Sequence, residues 1–489
     1  MANPRIVRAA PHAAVAACAA AALLSLLLPF APVFDPWAWA TWGREVAGLE
    51  LETSGGPSWK PLPVVITTPF AVLGDAAPAL WLAVSRFGWI AAAAIAWRLA
   101  ARLTGEDDAR ASIAAGALAA AGVVLLSDPL TPWLRQFAGG LSEPLLAALA
   151  LAAVDRHLDR RHGQAVGLWV LASLLRPEAW PFLAASAWMA WRGASRRGRA
   201  AIAAGVTLVP ALWLVPDLVG SGDALTGADR ARVEGSSVAG VWEALERAAG
   251  LPLVALWAGA VVAVATALRS GERAVPAIAG GAAAWTAIVA AMAGFGFAGL
   301  ARFMAPAAAA VCVLGGVGLV RAAVAARRVT IPRARPAALA VVAAATIGFA
   351  AQAAQRAAEL PGVARDAEAY AREIDDLFGL VDRVGRDRLS RCGEVYVTDL
   401  LVQTALAWKL ERPLDAVAVR RASLPRSGIG VVGPDATRPG RRLTASRGDR
   451  VGRSGPWTAY AVSCDSGRPI AGVSGARRYG CSSEAACSW

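Results

Sequence analysis

The sequence predicts a polytopic α-helical membrane protein that carries a small extracytoplasmic α/β domain at its C-terminal end. Of its 489 residues, 56% are hydrophobic and only 17% are charged. The mean hydropathy is +0.47, and the runs rich in alanine and leucine approach the length that a bilayer core requires. A soluble protein of this size needs more charged residues to cover its surface. We therefore exclude a soluble enzyme of two or three domains.

Apolar segments separated by charged connections predict about eleven membrane crossings. These spans lie at residues 10–31, 77–103, 111–127, 139–154, 164–176, 178–191, 199–216, 249–268, 275–297, 300–320 and 336–353. The pair 164–176 and 178–191 is short, and we interpret it as two helices that meet at Arg176-Pro177-Glu178. A residue before proline is disfavoured in helical geometry, and a broken helix is tolerated in a membrane where it lines a cavity.

The distribution of arginine predicts which connections face the cytoplasm. Connections on one side are short and basic, and the stretch 321–335 alone contains five arginines. The positive-inside rule makes these connections cytoplasmic and makes 32–76, 128–138, 217–248 and 296–300 extracytoplasmic. We therefore expect a multi-pass plasma-membrane protein with a cytoplasmic N-terminus. The cytoplasmic loops account for the net charge of +13, so we expect membrane lipids as partners and no nucleic acid.

The C-terminal segment 354–489 is predicted to form an extracytoplasmic α/β domain, which leaves 1–353 as the transmembrane domain. The hydrophobic pattern indicates helices at 355–384 and 400–410, and a loop at 420–456. It also indicates strands at 394–398, 416–419, 428–432 and 457–462.

Four of the six cysteines lie in this segment, at Cys392, Cys464, Cys481 and Cys487. Four cysteines in an oxidising compartment suggest disulfides. Three pairings are possible, and we favour Cys392–Cys464 with Cys481–Cys487 because the second pair closes a short terminal loop. The sequence contains no C-x-x-C spacing, so no metal site is predicted.

The first extracytoplasmic connection, 32–76, is called the first loop below and holds the most distinctive polar pattern. It opens with Asp35-Pro36 directly after the first span, and three tryptophans follow at Trp37, Trp39 and Trp42. Indoles favour the membrane interface, so we predict an interfacial helix here and a second one at 64–73. The local pattern leaves two readings of Asp35 open: a helix cap or a reactive carboxylate.

The cytoplasmic connections are short and contain no glycine-rich loop that could hold phosphates. No nucleotide therefore has a predicted site on that side. An enzyme with this organisation must take its substrates from the membrane or from the extracytoplasmic side.

In the order of these features the chain resembles the GT-C class of membrane glycosyltransferases, which use polyprenyl-phosphate-linked sugars. The segment Lys60-Pro61-Leu62-Pro63 is similar to the proline-rich stretch of that class. The resemblance to actinobacterial members rests on three further segments, Ser142-Glu143-Pro144, Leu175 to Trp180, and Ala301 to Pro306. It covers roughly residues 1–320, and the soluble tail is also typical.

The resemblance implies an inverting glycosyltransferase that moves a sugar to a cell-envelope glycan, lipid or protein acceptor. It implies Asp35 as the catalytic base, with Glu45 as its alternative or helper. It implies that the donor phosphate is held by Arg302, Arg176 and Lys60, with Arg135 as a weaker candidate. It also implies that substrate is contacted by Trp37, Trp42, Arg44 and Glu178. No cofactor is assigned, and a divalent cation is left open.

Two other readings of the same residues stay open at this point. Arg176 and Glu178 could form a helix-end ion pair, and buried charges on broken helices also suit a flippase or transporter for lipids or lipid-linked sugars. The two halves of the sequence contain no visible internal repeat, which argues against the transporter. An assembly protein without catalysis is the third possibility, and it would leave Asp35 and Arg302 replaceable.

Overall fold

The computed structural model describes residues 4–105, 108–127, 138–232, 238–391, 393–419, 427–433 and 448–462. The longer helices in these ranges are Pro4–Leu24, Phe34–Gly48, Pro61–Phe70, Ala77–Leu103, Ala109–Val124, Glu143–Leu158, His162–Ser173, Trp180–Trp191, Arg196–Ser221, Val238–Gly250, Val254–Ser270, Ala274–Gly294, Ala305–Arg328 and Ala334–Val384. Shorter helices are Thr226–Arg230, Arg386–Arg391 and Gln403–Leu410. Each predicted span overlaps a helix, which confirms the helical fold class.

The described part of the chain contains fewer helices with the length and hydrophobicity of a membrane span than the sequence predicts. Among the described residues, five helical segments are long and apolar enough to cross a bilayer. The helices Val238–Gly250 and Val254–Ser270 make a sixth if they are counted as one bent span. The number of about eleven crossings therefore stays a prediction.

The break at Arg176-Pro177-Glu178 is confirmed. The helix His162–Ser173 ends before it, and the helix Trp180–Trp191 begins after a short 3-10 turn, Pro177–Ala179. Arg176 is extended, with φ −152° and ψ 136°, as expected for a residue before proline.

The C-terminal region contains a five-stranded sheet in the order β2-β1-β3-β5-β4. Its strands are β1 Val395–Val397, β2 Val417–Val419, β3 Gly428–Val432, β4 Asp449–Ser454 and β5 Trp457–Val462. The first three are parallel, and β5 pairs antiparallel with both β3 and β4. The prediction of a loop through residue 456 was wrong at β4. This polar strand lies at the sheet edge with Asp449 and Arg450 exposed, so it lacks the hydrophobic alternation of a buried strand.

The predicted span at 336–353 and the predicted helix at 355–384 form one continuous helix, Ala334–Val384. No glycine or proline stands at the proposed junction, and the interior proline of the helix, Pro361, lies beyond it. The domain boundary at 353 therefore falls inside a helix, and the division into two domains stays a proposal.

The helix Phe34–Gly48 of the first loop packs between the membrane helices and the C-terminal sheet. Its tryptophans share one hydrophobic cluster with Leu377 and Val431. Gly43 permits a close approach to the helix Pro61–Phe70, because a Cβ there would lie 2.5 Å from Thr67 Oγ1. This packing fixes the two helices of the first loop relative to each other.

Candidate functional site

Charged side chains from four other segments gather around the buried carboxylate of Glu143. Its Oε1 atom lies 3.8 Å from Lys60 Nζ, 3.6 Å from Arg176 Nη1 and 3.6 Å from Arg302 Nε. Asp35 joins the group through Lys60, whose Nζ lies 3.7 Å from Asp35 Oδ2. We call the residues Asp35, Lys60, Glu143, Arg176, Glu178 and Arg302 the charged cluster.

Asp35 lies in the first turn of the helix Phe34–Gly48, where a negative charge is favourable to the helix dipole. The N-cap of this helix is Val33, and no side-chain cap hydrogen bond is present. The reading of Asp35 as the cap is therefore wrong. Thr404 Oγ1 donates to the Phe34 carbonyl at 2.8 Å, which ties this turn to the C-terminal region.

Lys60 immediately precedes the helix Pro61–Phe70 and is buried, with only 8% of its surface exposed. Its ammonium lies 5.0 Å from the ring centroid of Trp39 and donates to Ser142 Oγ at 3.3 Å. The indole face and the hydroxyl replace part of the hydration that a buried ammonium loses.

Glu143 is the first residue of the helix Glu143–Leu158 and is fully buried. Neither carboxylate oxygen has a hydrogen-bond partner among the described residues, and the three cations stand beyond hydrogen-bond distance. Sequence reasoning assigned no role to Glu143. A carboxylate inside a predicted span, here 139–154, is costly unless it is paired, and this signal could have identified it.

Arg176 and Arg302 reach the cluster from the helix break and from the 3-10 turn Ala301–Met304. The Arg176 guanidinium donates to Glu178 Oε1 at 2.6 Å, so the predicted ion pair is present. Both of its residues also belong to the charged cluster. The Phe303 ring lies near both arginines, with its centroid 3.3 Å from Arg176 Cζ and 5.4 Å from Arg302 Cζ.

Glu45 lies elsewhere. It is ten residues after Asp35 on the same helix, which corresponds to about 15 Å along the axis. Its Oε2 accepts from the Glu52 backbone N–H at 3.1 Å. Burial raises the pKa of Glu45 to about 7, and that hydrogen bond only partly offsets the effect. The assignment of Glu45 as base or helper stays a prediction that the geometry does not favour.

Three other candidates face the protein interior rather than the cluster. Trp37 packs against Phe378 and Trp408. Trp42 donates to the Glu52 carbonyl at 2.9 Å. Arg44 stacks on Trp408 at 4.6 Å and donates to its carbonyl. The contacts of Trp37 and Arg44 join the first loop to the C-terminal region, and the substrate contacts implied for all three residues remain untested.

Some predictions lie outside the described residues. They concern Arg135 and the four tail cysteines, Cys392, Cys464, Cys481 and Cys487. Of the described cysteines, Cys312 is buried and Cys18 is partly buried, each as a free thiol. Among the described residues no group of three histidine, cysteine or carboxylate side chains has a metal-site arrangement, and the divalent cation stays open.

No protein-family model and no curated protein matches the chain. Two solved structures of ArnT from Cupriavidus metallidurans are similar to it. The structure bound to undecaprenyl phosphate aligns with a TM-score of 0.54 at 17% identity, over 96% of this chain and 100% of that one. The apo structure aligns with a TM-score of 0.51 at 16% identity, over 93% and 98%. The chain therefore has an ArnT-like GT-C membrane fold, as the resemblance implied.

Proposed function

We propose that this protein is a membrane glycosyltransferase that moves a sugar from a polyprenyl-phosphate donor to an extracytoplasmic acceptor in the cell envelope. The observation that carries the proposal is the charged cluster, in which three cations surround Glu143 beside a partly exposed carboxylate, Asp35. The fold agrees, because ArnT has been solved with undecaprenyl phosphate bound.

The cluster supplies the two kinds of group that glycosyl transfer needs. In the proposed reaction Asp35 accepts the proton of an acceptor hydroxyl, and the acceptor oxygen attacks the anomeric carbon. The bond between that carbon and the phosphate oxygen breaks, and the phosphate leaves with the electron pair. Its charge grows during this step, so cations placed beforehand at Lys60, Arg176 and Arg302 lower the barrier.

The distances within the cluster suit an anion that enters from outside. The cations stand 3.6–3.8 Å from Glu143 Oε1, which is close enough for attraction but too long for hydrogen bonds. The contacts with Glu143 therefore use none of their N–H donors. Glu143 balances part of their charge while the site is empty, which keeps three cations together in a place with little water.

Glycosyl transfer can be tested with purified protein in nanodiscs and radiolabelled polyprenyl-phosphate sugars. We expect sugar release or transfer, and we expect Asp35→Asn to lower the rate by about 10²–10⁴-fold while the protein stays folded. The matched control is Asp75→Asn, an exposed carboxylate of the same loop, which should retain full activity. Movement of intact donor across a vesicle bilayer without cleavage would instead identify a flippase.

A further inference from the structure

The helix Val238–Gly250, called the surface helix below, makes a sharp angle with the helix that follows it. It is bent by 90° from the apolar helix Val254–Ser270 that follows it. The elbow is fixed because Leu251 and Leu253 are both 1% exposed. Val254–Ser270 is apolar, and where it runs along the bilayer normal the 90° bend turns the surface helix parallel to the bilayer plane.

The two sides of the surface helix differ. Ala244 and Ala248 are buried, whereas Val238 and Trp242 are 75% and 68% exposed. This apolar exposure continues onto the next helix at Val254, and Trp257 donates to the Ala249 carbonyl at 3.0 Å to join the two. An amphipathic helix with an exposed tryptophan is typical of a membrane interface.

The same helix holds the segment that carries Arg302. Arg247 Nη1 donates to the Gly299 carbonyl at 3.2 Å, three residues before Arg302. The two backbones are in close contact there, because a Cβ at Gly299 would lie 2.9 Å from the Cβ of Ala244. A shift of the surface helix therefore displaces the segment that begins at Gly299.

We propose that the surface helix binds the phospholipid leaflet on the side of the charged cluster, and that through Arg247 it positions Arg302. The occupant is bilayer phospholipid, because the exposed face is continuous with that of a membrane-suited helix and ends in a tryptophan. The positioning role rests on the proposed function, whereas the lipid contact does not.

The lipid contact can be tested by photocrosslinking in nanodiscs that contain only phospholipid. A photoreactive phenylalanine analogue replaces Trp242, and the same analogue replaces Arg453 on the exposed edge strand β4 as the control. We expect phospholipid adducts by mass spectrometry at position 242 and background at position 453. Equal adduct yields at the two positions would overturn the lipid contact.

The positioning role can be tested by binding of undecaprenyl phosphate, which needs no transfer activity. Arg247→Met removes the hydrogen bond to the Gly299 carbonyl, so we expect the folded variant to bind undecaprenyl phosphate about tenfold more weakly. Arg247→Lys keeps a cationic donor and should restore most of the affinity. Wild-type affinity in Arg247→Met would overturn the positioning role. Absence of sugar transfer by the wild type would contradict only the proposed function.

Discussion

The guanidinium carbon of Arg176 lies 3.3 Å from the centroid of the Phe303 ring, so the cation rests directly against the aromatic face. The position of Phe303 is itself fixed, because its carbonyl accepts from Trp285 Nε1 at 2.8 Å. The Trp285 ring packs in turn on Phe182, with centroids 5.4 Å apart. A neutral aromatic side chain thus orients Arg176 without competing for the anion that this arginine is proposed to bind.

Replacing Phe303 should weaken the binding of polyprenyl phosphate. A partly dehydrated cation–π contact contributes about 1–2 kcal/mol, so we expect Phe303→Leu to raise the Kd about tenfold. Phe303→Tyr keeps the ring and should bind normally. Phe349→Leu, a partly buried phenylalanine of the helix Ala334–Val384, is the control for lost packing. Equal Kd values for Phe303→Leu and the wild type would show that the ring does not contribute to binding of polyprenyl phosphate.

Lysine should substitute poorly at position 302. A guanidinium can bind two phosphate oxygens at once, whereas an ammonium acts as a point charge. We expect Arg302→Lys to lower kcat/KM for the donor by about tenfold or more while the protein stays folded. The exposed Arg232 offers a matched control in Arg232→Lys. If Arg302→Lys were as active as the wild type, the phosphate contact would be assigned to Lys60 instead of Arg302.

Glu143→Gln should destabilise the empty protein, because it leaves Lys60, Arg176 and Arg302 without their shared counter-charge. Breaking a buried ionic contact typically costs about 3–5 kcal/mol of unfolding free energy. Polyprenyl phosphate should restore much of that loss and raise the melting temperature more in the variant than in the wild type. The exposed Glu368→Gln should change little. An equal ligand-induced shift in Glu143→Gln and wild type would contradict the counter-charge role.

Glu45 should make folding stability depend on pH. Burial raises its pKa from the ordinary 4.5 to about 7, so the folded state favours the protonated form. The stability this group provides is complete below about pH 4.5 and decreases as pH rises towards 7. Glu45→Gln still accepts a hydrogen bond and should be more stable than the wild type above pH 7, by on the order of 3 kcal/mol. Melting temperatures measured from pH 4.5 to 8 test this, and parallel curves would refute it.

Most of the charged cluster could be predicted because its residues stand at helix ends. Asp35 follows the first apolar run and Arg176 precedes a proline, so the hydrophobic pattern alone places both at a membrane boundary. Glu143 was missed because a lone carboxylate near the start of an apolar span also resembles an ordinary helix start. Its role depends on three cations that come from distant segments.

The contacts of Trp37 and Arg44 could not be predicted for a related reason. A tryptophan-rich helix after a span is typical of the membrane interface, yet Trp37 packs on Phe378 and Arg44 on Trp408. These partners lie more than three hundred residues away in the sequence. The edge strand β4 was missed because pairing with β5, rather than side-chain burial, specifies it.

The continuous helix Ala334–Val384 connects the apolar part of the protein to the C-terminal sheet. Its 51 residues, with Pro361 among them, correspond to about 77 Å of helical rise, more than twice the bilayer's hydrocarbon thickness. The most apolar stretch of this helix is not buried in the protein, whereas Leu377 and Leu380 near its C-terminal end are fully buried beneath the sheet. The helix therefore sets both the height and the rotation of the sheet relative to the lipid. One residue inserted between these two parts would turn the sheet by about 100° and move it away from Trp37 and the turn that holds Asp35.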